Sequence, residues 1–327
     1  MGAVWVVLQH REGKLHRGSF EAIAAGQRLA ARAGGKAEAI VLGEGVAALA
    51  AEAATCDLAA IRVADSPLLA HYTPGGYVAA LAPAILAEKP DFVLFPHTYQ
   101  SAEYVPRLAQ TTGAALVPEA IAFDTDEAGA LLFRRPILEG KMHARVRVKG
   151  GGTTLVTLQA AAFGADTRVA GGAPVRPHGV ALAGAVADRE VLGTEQATGD
   201  TVDLSSAQVI VAVGRGVGGG DKLGAVEELA RLLGGEIGAS RPVIDNGWLP
   251  RDRQIGSSGQ TVSPKLYIAA GISGAIQHLV GMKGSSVIVA INKDAGAPIF
   301  KVAHYGVVGD LHEVLPALNQ AIRELRG

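Results

Sequence analysis

The sequence predicts an α/β protein of two domains: an N-terminal parallel-sheet α/β domain with added antiparallel strands over residues 1–196, and a C-terminal doubly wound domain over 197–327. Three observations carry that expectation. Apolar runs of strand length alternate with helical periodicity in both halves, the pattern turns to strict alternation between 115 and 159, and stretches of low hydrophobicity separate the halves. A chain of 327 residues also exceeds the roughly 100–200 residues of a single domain.

In the first half, residues 3–9, 37–43, 58–64 and 91–96 are short apolar runs that read as strands, while 19–33, 44–54 and 75–89 repeat apolar residues at the helical period. Strands that alternate with helices build a parallel sheet, because each helix carries the chain back across a sheet face. Residues 131–135, 144–148 and 154–159 alternate as antiparallel strands do, so the first domain is expected to end in β-hairpins. The segment 171–178 is rich in Gly and Pro, and 193–203 is polar; the second of these is where the domain boundary is placed. Beyond it, strands at 208–213, 265–270, 286–292 and 298–304 alternate with helices at 223–233, 273–282 and 311–325. No internal repeat stands out.

Composition narrows the function. Thirty basic and 31 acidic residues leave a net charge of −1 with no Lys/Arg block interleaved with aromatics, so nucleic-acid binding has no electrostatic basis. The apolar runs, such as 3–8 and 287–291, fall far short of the roughly 18–20 residues that would cross a bilayer, and mean hydropathy of +0.26 comes from Ala, Val and Leu spread along the chain. No secretory leader or myristoylation signal opens it, so a cytoplasmic protein is expected. The single cysteine, Cys56, forms neither an internal disulfide nor a multi-cysteine metal site, so redox chemistry would have to come from a bound organic cofactor. Glycine is in excess: 43 residues is roughly 13%, against about 7% on average.

Two glycine-rich segments carry the chemistry. Gly214, Gly216 and Gly219 follow an apolar run and match G-x-G-x-x-G, with Glu236 about 22 residues past the first glycine, where a dinucleotide fingerprint places its acid. Alone, this reads either as a nicotinamide site or as a tight turn, and Arg215 within it favours an anionic ligand. The second segment, Tyr267-Ile268-Ala269-Ala270-Gly271-Ile272-Ser273-Gly274-Ala275-Ile276-Gln277-His278, runs from strand into helix, with Ser273 as the expected N-cap and free amides suited to a pyrophosphate. A lone histidine such as His278 is more often a hydrogen-bonded core or surface residue than a ligand. Between them lie Gly238-Ala239-Ser240-Arg241 and Gln254-Ile255-Gly256-Ser257-Ser258-Gly259, whose small residues let a flat ring approach; a surface ion pair with Asp245 or Asp252 is the plainer reading of Arg241.

Taken together these stretches resemble the FAD domain of electron-transfer flavoprotein α subunits. The resemblance is carried by residues 266–282, continues through Ile288-Val289-Ala290-Ile291-Asn292-Lys293-Asp294 and Ala297-Pro298-Ile299-Phe300, and spans most of 205–327. It implies FAD rather than NAD at the carboxyl ends of the strands. The residues it implies for cofactor contact are Arg215, Ser240, Arg241, Ser258, Ser273, Gln277, His278, Asn292 and Asp310, with their neighbours Gln254, Ile255, Gly256, Ser257, Gly274, Ala275, Ile276 and Leu311. The family commonly has Gln-Thr where Ser257-Ser258 stand here, so one hydroxyl is kept and an amide is lost. On the family's pattern Arg241 lies near the ring and His278 near its pyrimidine end, where donors or fixed positive charge favour the reduced flavin. The resemblance further implies an electron carrier rather than a free-standing enzyme. Its partners would be a β subunit in a heterodimer, acyl-CoA dehydrogenases of fatty acid β-oxidation as donors, and a membrane quinone oxidoreductase as acceptor. The rival expectation is an NAD(P)-dependent dehydrogenase built on Gly214, Gly216, Gly219 and Glu236; it lacks an evident acid–base pair.

Overall fold

The computed structural model describes residues 3–32, 34–138, 142–179, 182, 189, 191–193, 202–204 and 207–326. The chain divides into two compact units, Met1–Glu195 and Gln196–Gly327. The polar segment 193–203, in which the sequence places the boundary, lies mostly outside the described residues.

The first unit opens with β1 (Val4–Val7), a small hairpin of β2 (His10–Arg11) and β3 (Lys14–Leu15), and α1 (Arg17–Ala31). There follow β4 (Glu38–Gly43), α2 (Ala47–Ala53), β5 (Ala60–Asp65), α3 (Pro74–Glu88), β6 (Phe92–Pro96) and α4 (Tyr99–Thr112). The unit continues through β7 (Ala115–Ala120), β8 (Ala122–Thr125), β9 (Leu131–Ile137), β10 (Met142–Val146), β11 (Thr154–Leu158) and β12 (Val175–Pro177). Seven strands form one parallel sheet in the order β12-β5-β4-β1-β6-β11-β7. Alternate residues of β1 serve opposite faces, as strand geometry requires: Val4 and Val6 join Ile23 and Leu29 in one core, Trp5 and Val7 join Leu81 and Phe95 in the other.

Two expectations are corrected here. Residues 154–159 do not belong to an antiparallel hairpin; β11 is buried along its length and runs parallel between β6 and β7, leaving β8, β9 and β10 as the antiparallel sheet. Helix α4, which the sequence reading passed over, holds Pro106 in its interior, a residue that ordinarily breaks a helix. It forms because Thr98 and Ser101 close a reciprocal capping box and because Tyr104, Val105 and Leu108 bury one face.

The second unit is a five-stranded parallel sheet ordered β14-β13-β15-β16-β17, built from β13 (Val209–Val213), β14 (Glu236–Ala239), β15 (Leu266–Ala270), β16 (Val287–Asn292) and β17 (Tyr305–Val308). Its helices are α5 (Gly224–Leu233), α6 (Arg241–Asp245), α7 (Ile276–Met282) and α8 (Leu311–Arg326). Strands β13 and β15 are near-continuous apolar runs because both faces are covered, with Val211 and Val213 in one core and Ile210 and Ala212 in the other. The apolar run at 298–304 is not a strand. Pro298 lacks the N–H a ladder needs and opens a 3₁₀ turn, Pro298–Lys301, which moves the strand on to Tyr305–Val308. Among the described residues no helix is long and apolar enough to cross a membrane.

The chain leaves β13 for β14 on one side, then crosses to β15, β16 and β17 on the other. The gap between β13 and β15 is therefore a topological switch point, where loops from neighbouring strands part and leave a crevice beyond the carboxyl ends.

Candidate functional site

A cleft of about 660 Å³ opens at that crevice, within the range of cofactor sites. The carboxyl end of β13 supplies Arg215 and Gly216, that of β14 supplies Ser240, Arg241 and Pro242, and β16 supplies Asn292. From the turn after β15 come Gly271, Ile272, Ser273, Ala275, Gln277 and His278, and the loop holding Gln254, Ile255, Gly256, Ser257 and Ser258 forms another wall. A smaller cleft of about 390 Å³ lies at the amino ends of β13 and β14; its walls hold Asp203 and Glu236 and no cation, which suits it poorly to an anion.

The turn after β15 builds an anion site from main chain. Ser273 is not the N-cap the sequence led us to expect: helix α7 starts at Ile276, and Ala275 precedes it without a side-chain cap. Ser273 turns its carbonyl to the Ile299 amide at 3.0 Å instead. The amides of Ser273, Gly274, Ala275, Ile276 and Gln277 consequently have no acceptor among the described residues. Consecutive unpaired amides beyond parallel strands are donors ready for a phosphate. Arg215, on the facing turn, is exposed and its guanidinium makes no ion pair among the described residues.

The G-x-G-x-x-G match serves packing. A Cβ on Gly214 would overlap the Gly271 carbonyl, and the Gly216 amide donates to that same carbonyl at 3.1 Å. The glycines thus let the β13 and β15 turns touch. Glu236 opens β14 and pairs in register with Ile210, so it sits toward the amino end of the sheet, away from the crevice, where Arg253 Nη1 meets its Oε2 at 2.9 Å. An acid that is to hold a ribose must lie at the carboxyl end, so the nicotinamide reading loses its key residue. Glu236→Gln is expected to leave flavin content unchanged and to cost under about 1 kcal/mol in denaturant titration, since the pair is partly exposed.

Arg241 follows β14 at the cleft rim, and its Nε stands 3.4 Å from Asp245 Oδ2 one helical turn on, both largely exposed. The plain reading and the functional one therefore hold together: the arginine lines the cleft and is paired. Ser258 Oγ accepts from Gln254 Nε2 at 3.0 Å, which leaves its hydroxyl proton free. Asn292 is spent on the loop, donating from Nδ2 to the Ile272 carbonyl at 3.0 Å and accepting at Oδ1 from the Asp294 amide.

His278 is the main correction to the expected roles. It lines the cleft, yet it is only 6% exposed and both ring nitrogens point into the protein: Nδ1 is 3.1 Å from the Ile255 carbonyl and Nε2 is 2.8 Å from the Tyr267 hydroxyl. Burial pushes its pKa down to about 4, only partly opposed by the Ile255 carbonyl, so the ring is neutral at pH 7. It therefore presents neither a charge nor a free N–H to a ligand.

Four expected residues do not line the cleft. Gly274 is buried behind the turn against Pro298 and Ile299, while the Ile276 side chain points to solvent at 44% exposure. Asp310 accepts the His312 amide at Oδ1 and starts α8, and Leu311 is buried beneath Gly271. Gly216, Pro242, Gly271 and Ile272 also line the cleft, although none was among the expected cofactor contacts.

Two protein families match the chain. The family described as the electron transfer flavoprotein FAD-binding domain matches residues 203–283, and the electron transfer flavoprotein domain matches residues 4–186. An electron transfer flavoprotein subunit alpha of Bacillus subtilis is 39% identical, covering 99% of both chains. That of Syntrophomonas wolfei is also 39% identical, over 99% of this chain and 100% of the relative. A protein FixB of Rhizobium meliloti is 36% identical, over 97% and 92%.

Proposed function

The chain belongs to the electron transfer flavoprotein α-subunit family, and from that premise we propose that it holds FAD in the cleft beyond β13 and β15, takes electrons from flavin dehydrogenases and passes them to a respiratory quinone oxidoreductase. The observation that carries the placement is the run of unpaired amides at 273–277 facing Arg215, a donor set made for a diphosphate. The residues present fit the group. The bound flavin supplies the electron-carrying chemistry; the chain's own residues bind and bias it. The amides of 273–277 and Arg215 hold the diphosphate, while Ser240 and the free Ser258 proton offer hydroxyl contacts. Arg241 supplies positive charge that favours the reduced, more negative form.

Acyl-CoA dehydrogenases are the proposed donors, on the family's pattern. A β subunit is the proposed partner, in keeping with relatives that are themselves named as one subunit of an assembly. Strand β17 supports a partner independently: it is a sheet edge with Tyr305, Val307 and Val308 all exposed, and such edges are normally covered or charged. Co-expression with the β chain should give a 1:1 complex that keeps flavin absorbance through size exclusion. A colourless complex that binds NADH would overturn the reading. In the flavin-loaded complex, Arg241→Ala should lower the midpoint potential and Arg241→Lys should restore it only in part, because lysine lacks the planar guanidinium that can stack on a ring. An unchanged potential in Arg241→Ala would remove Arg241 from the flavin.

A further inference from the structure

We propose that Gln260 is a positioning residue that docks the entry segment Val202–Leu204 onto the base of the loop carrying Ser258, so that seating of this segment and occupancy of the flavin site reinforce each other. The inference rests on the reading of the cleft as the FAD site. The chain enters the second unit ahead of β13, and Val202–Leu204 lie in that entry. The side-chain amide of Gln260 is committed to main chain there. Its Nε2 donates to the Val202 carbonyl at 2.8 Å and to the Asp252 carbonyl, and its Oε1 accepts the Leu204 amide at 2.9 Å. The partners fix its orientation, since two carbonyls demand the NH₂ end and an amide demands the oxygen. A glutamine amide has the shape of a peptide group. Holding the carbonyl of one residue and the amide of the residue two further on, it bonds Val202–Leu204 as a neighbouring parallel strand would. Asp252 Oδ2 accepts the Val202 amide at 2.8 Å, and Leu204 is fully buried in the same core as Ile255 and Val262.

The same residue closes the flavin loop. The Gln260 amide donates to the Gln254 carbonyl at 2.8 Å, and its carbonyl accepts the Gly256 amide at 3.2 Å. The ring 254–260 is tied outward at two further points, from the Ile255 amide to the Ala239 carbonyl at 2.8 Å and from the Ser257 amide to the Gln277 carbonyl at 2.7 Å. It has no slack, because a Cβ on Gly259 would overlap the Gln254 carbonyl. A loop so closed shifts as one piece, with Gln260 at its base and Ser257 and Ser258 at the cleft wall. Gln254 joins the two ends: its carbonyl is held by Gln260, and its side chain donates to Ser258 Oγ. Seating of Val202–Leu204 therefore favours the loop position that serves the flavin, and by linkage a bound flavin favours the seated segment to the same degree.

The test is amide hydrogen exchange and FAD release in the co-expressed complex, for wild type, Gln260→Ala, Gln260→Glu, Ser258→Ala and the double variant Gln260→Ala with Ser258→Ala. In wild type, stripping FAD should speed exchange severalfold at Leu204 and over 254–260, and adding FAD back should reverse this. The core amides of β13 and β15 should keep their protection throughout. In Gln260→Ala, Leu204 should exchange fast with or without FAD, and FAD, followed by its fluorescence on dilution, should leave severalfold faster. Gln260→Glu keeps the length and the acceptor for Leu204 but sets an acceptor against two carbonyls, so it should behave as Gln260→Ala does. In the Ser258→Ala background, Gln260→Ala should add little to the release rate, a coupling that a merely structural glutamine would not show. Wild-type exchange at Leu204 that ignores FAD would overturn the proposal, and that outcome needs no variant to fold. So would a Gln260→Glu complex that releases FAD at the wild-type rate, a release effect of the same size with and without the Ser258 hydroxyl, or a loss of protection in Gln260→Ala that spreads equally over β13 and β15. If wild type holds no FAD, the cleft reading fails, whereas exchange at Leu204 in wild type against Gln260→Ala still decides whether Gln260 seats the segment.

Discussion

A chain carrying Gly274→Val, co-expressed with its partner, is expected to emerge without flavin. Gly274 has φ +86°, in the left-handed region that a β-branched residue avoids, at a cost of about 1–3 kcal/mol. The steric cost adds to this. A Cβ there would overlap the Ile299 amide and lie 2.9 Å from the Pro298 carbonyl carbon, and those atoms are main chain and cannot swing aside. The Ser273 carbonyl is bonded to that same Ile299 amide at 3.0 Å, so relief of the clash breaks the contact that holds the turn. Moving the turn moves the amides of 273–277, and the diphosphate loses its cradle. The residue thus acts from behind the site, since its side-chain direction faces the 298–299 turn and not the cleft. Gly274→Ala, too small to reach a ligand on the far side of the backbone, should also lose most flavin. The ratio of flavin to protein absorbance after size exclusion reads both outcomes, and a Gly274→Val protein with stoichiometric flavin would remove this turn from the binding site.

How far the sequence disclosed this site follows from which forces are local. Strands β13, β15 and β16 were legible to within a residue or two because both of their faces are buried and the chain writes that as an unbroken apolar run. Direction was not legible. Residues 154–158 read as an alternating strand, and only the paths into and out of β11 decide that it lies parallel to β6 and β7. The run Pro298-Ile299-Phe300 looked like a strand by hydrophobicity, whereas the strand Tyr305–Val308 contains a glycine and lies at an exposed edge. Glu236 shows how spacing misleads: the interval from Gly214 fits the fingerprint, but β14 is so short that it begins at this residue, and the acid falls at the wrong end of the strand. Arg215, Ser240 and Arg241 are named by the resemblance, and the structure puts each just past a strand end. The direction of His278 was not legible, because it depends on Tyr267 and Ile255, eleven and 23 residues away.

The same burial makes His278 an acid-labile point. Its pKa is about 4 in the folded chain against an ordinary 6.5, so between those values the unfolded state binds a proton that the folded state refuses. Stability rises with pH wherever the unfolded state holds more protons, so the term is absent above pH 6.5, grows as pH falls, and is complete below about 4. At roughly 1.4 kcal/mol per pKa unit the full penalty is about 3 kcal/mol, a large share of a typical domain's stability. Other groups titrate in the same window. Glu119 is held low by His97, so its stabilisation is lost on acidification, and His178 is pushed down by burial, so it adds a cost of the same sign. Glu21, raised by burial, acts in the opposite direction. The His278 share is therefore read as a difference: denaturant titrations of wild type and His278→Gln at pH 7.5, 6, 5 and 4. Gln replaces the ring with a neutral group that does not titrate. The wild-type curve should fall more steeply than the variant's between 6.5 and 4, by a slope approaching one proton, and the two should run parallel above pH 7. Parallel curves across the whole range would mean that the imidazole is solvated and already able to take a proton, and the buried, neutral histidine beside the cleft would have to be given up.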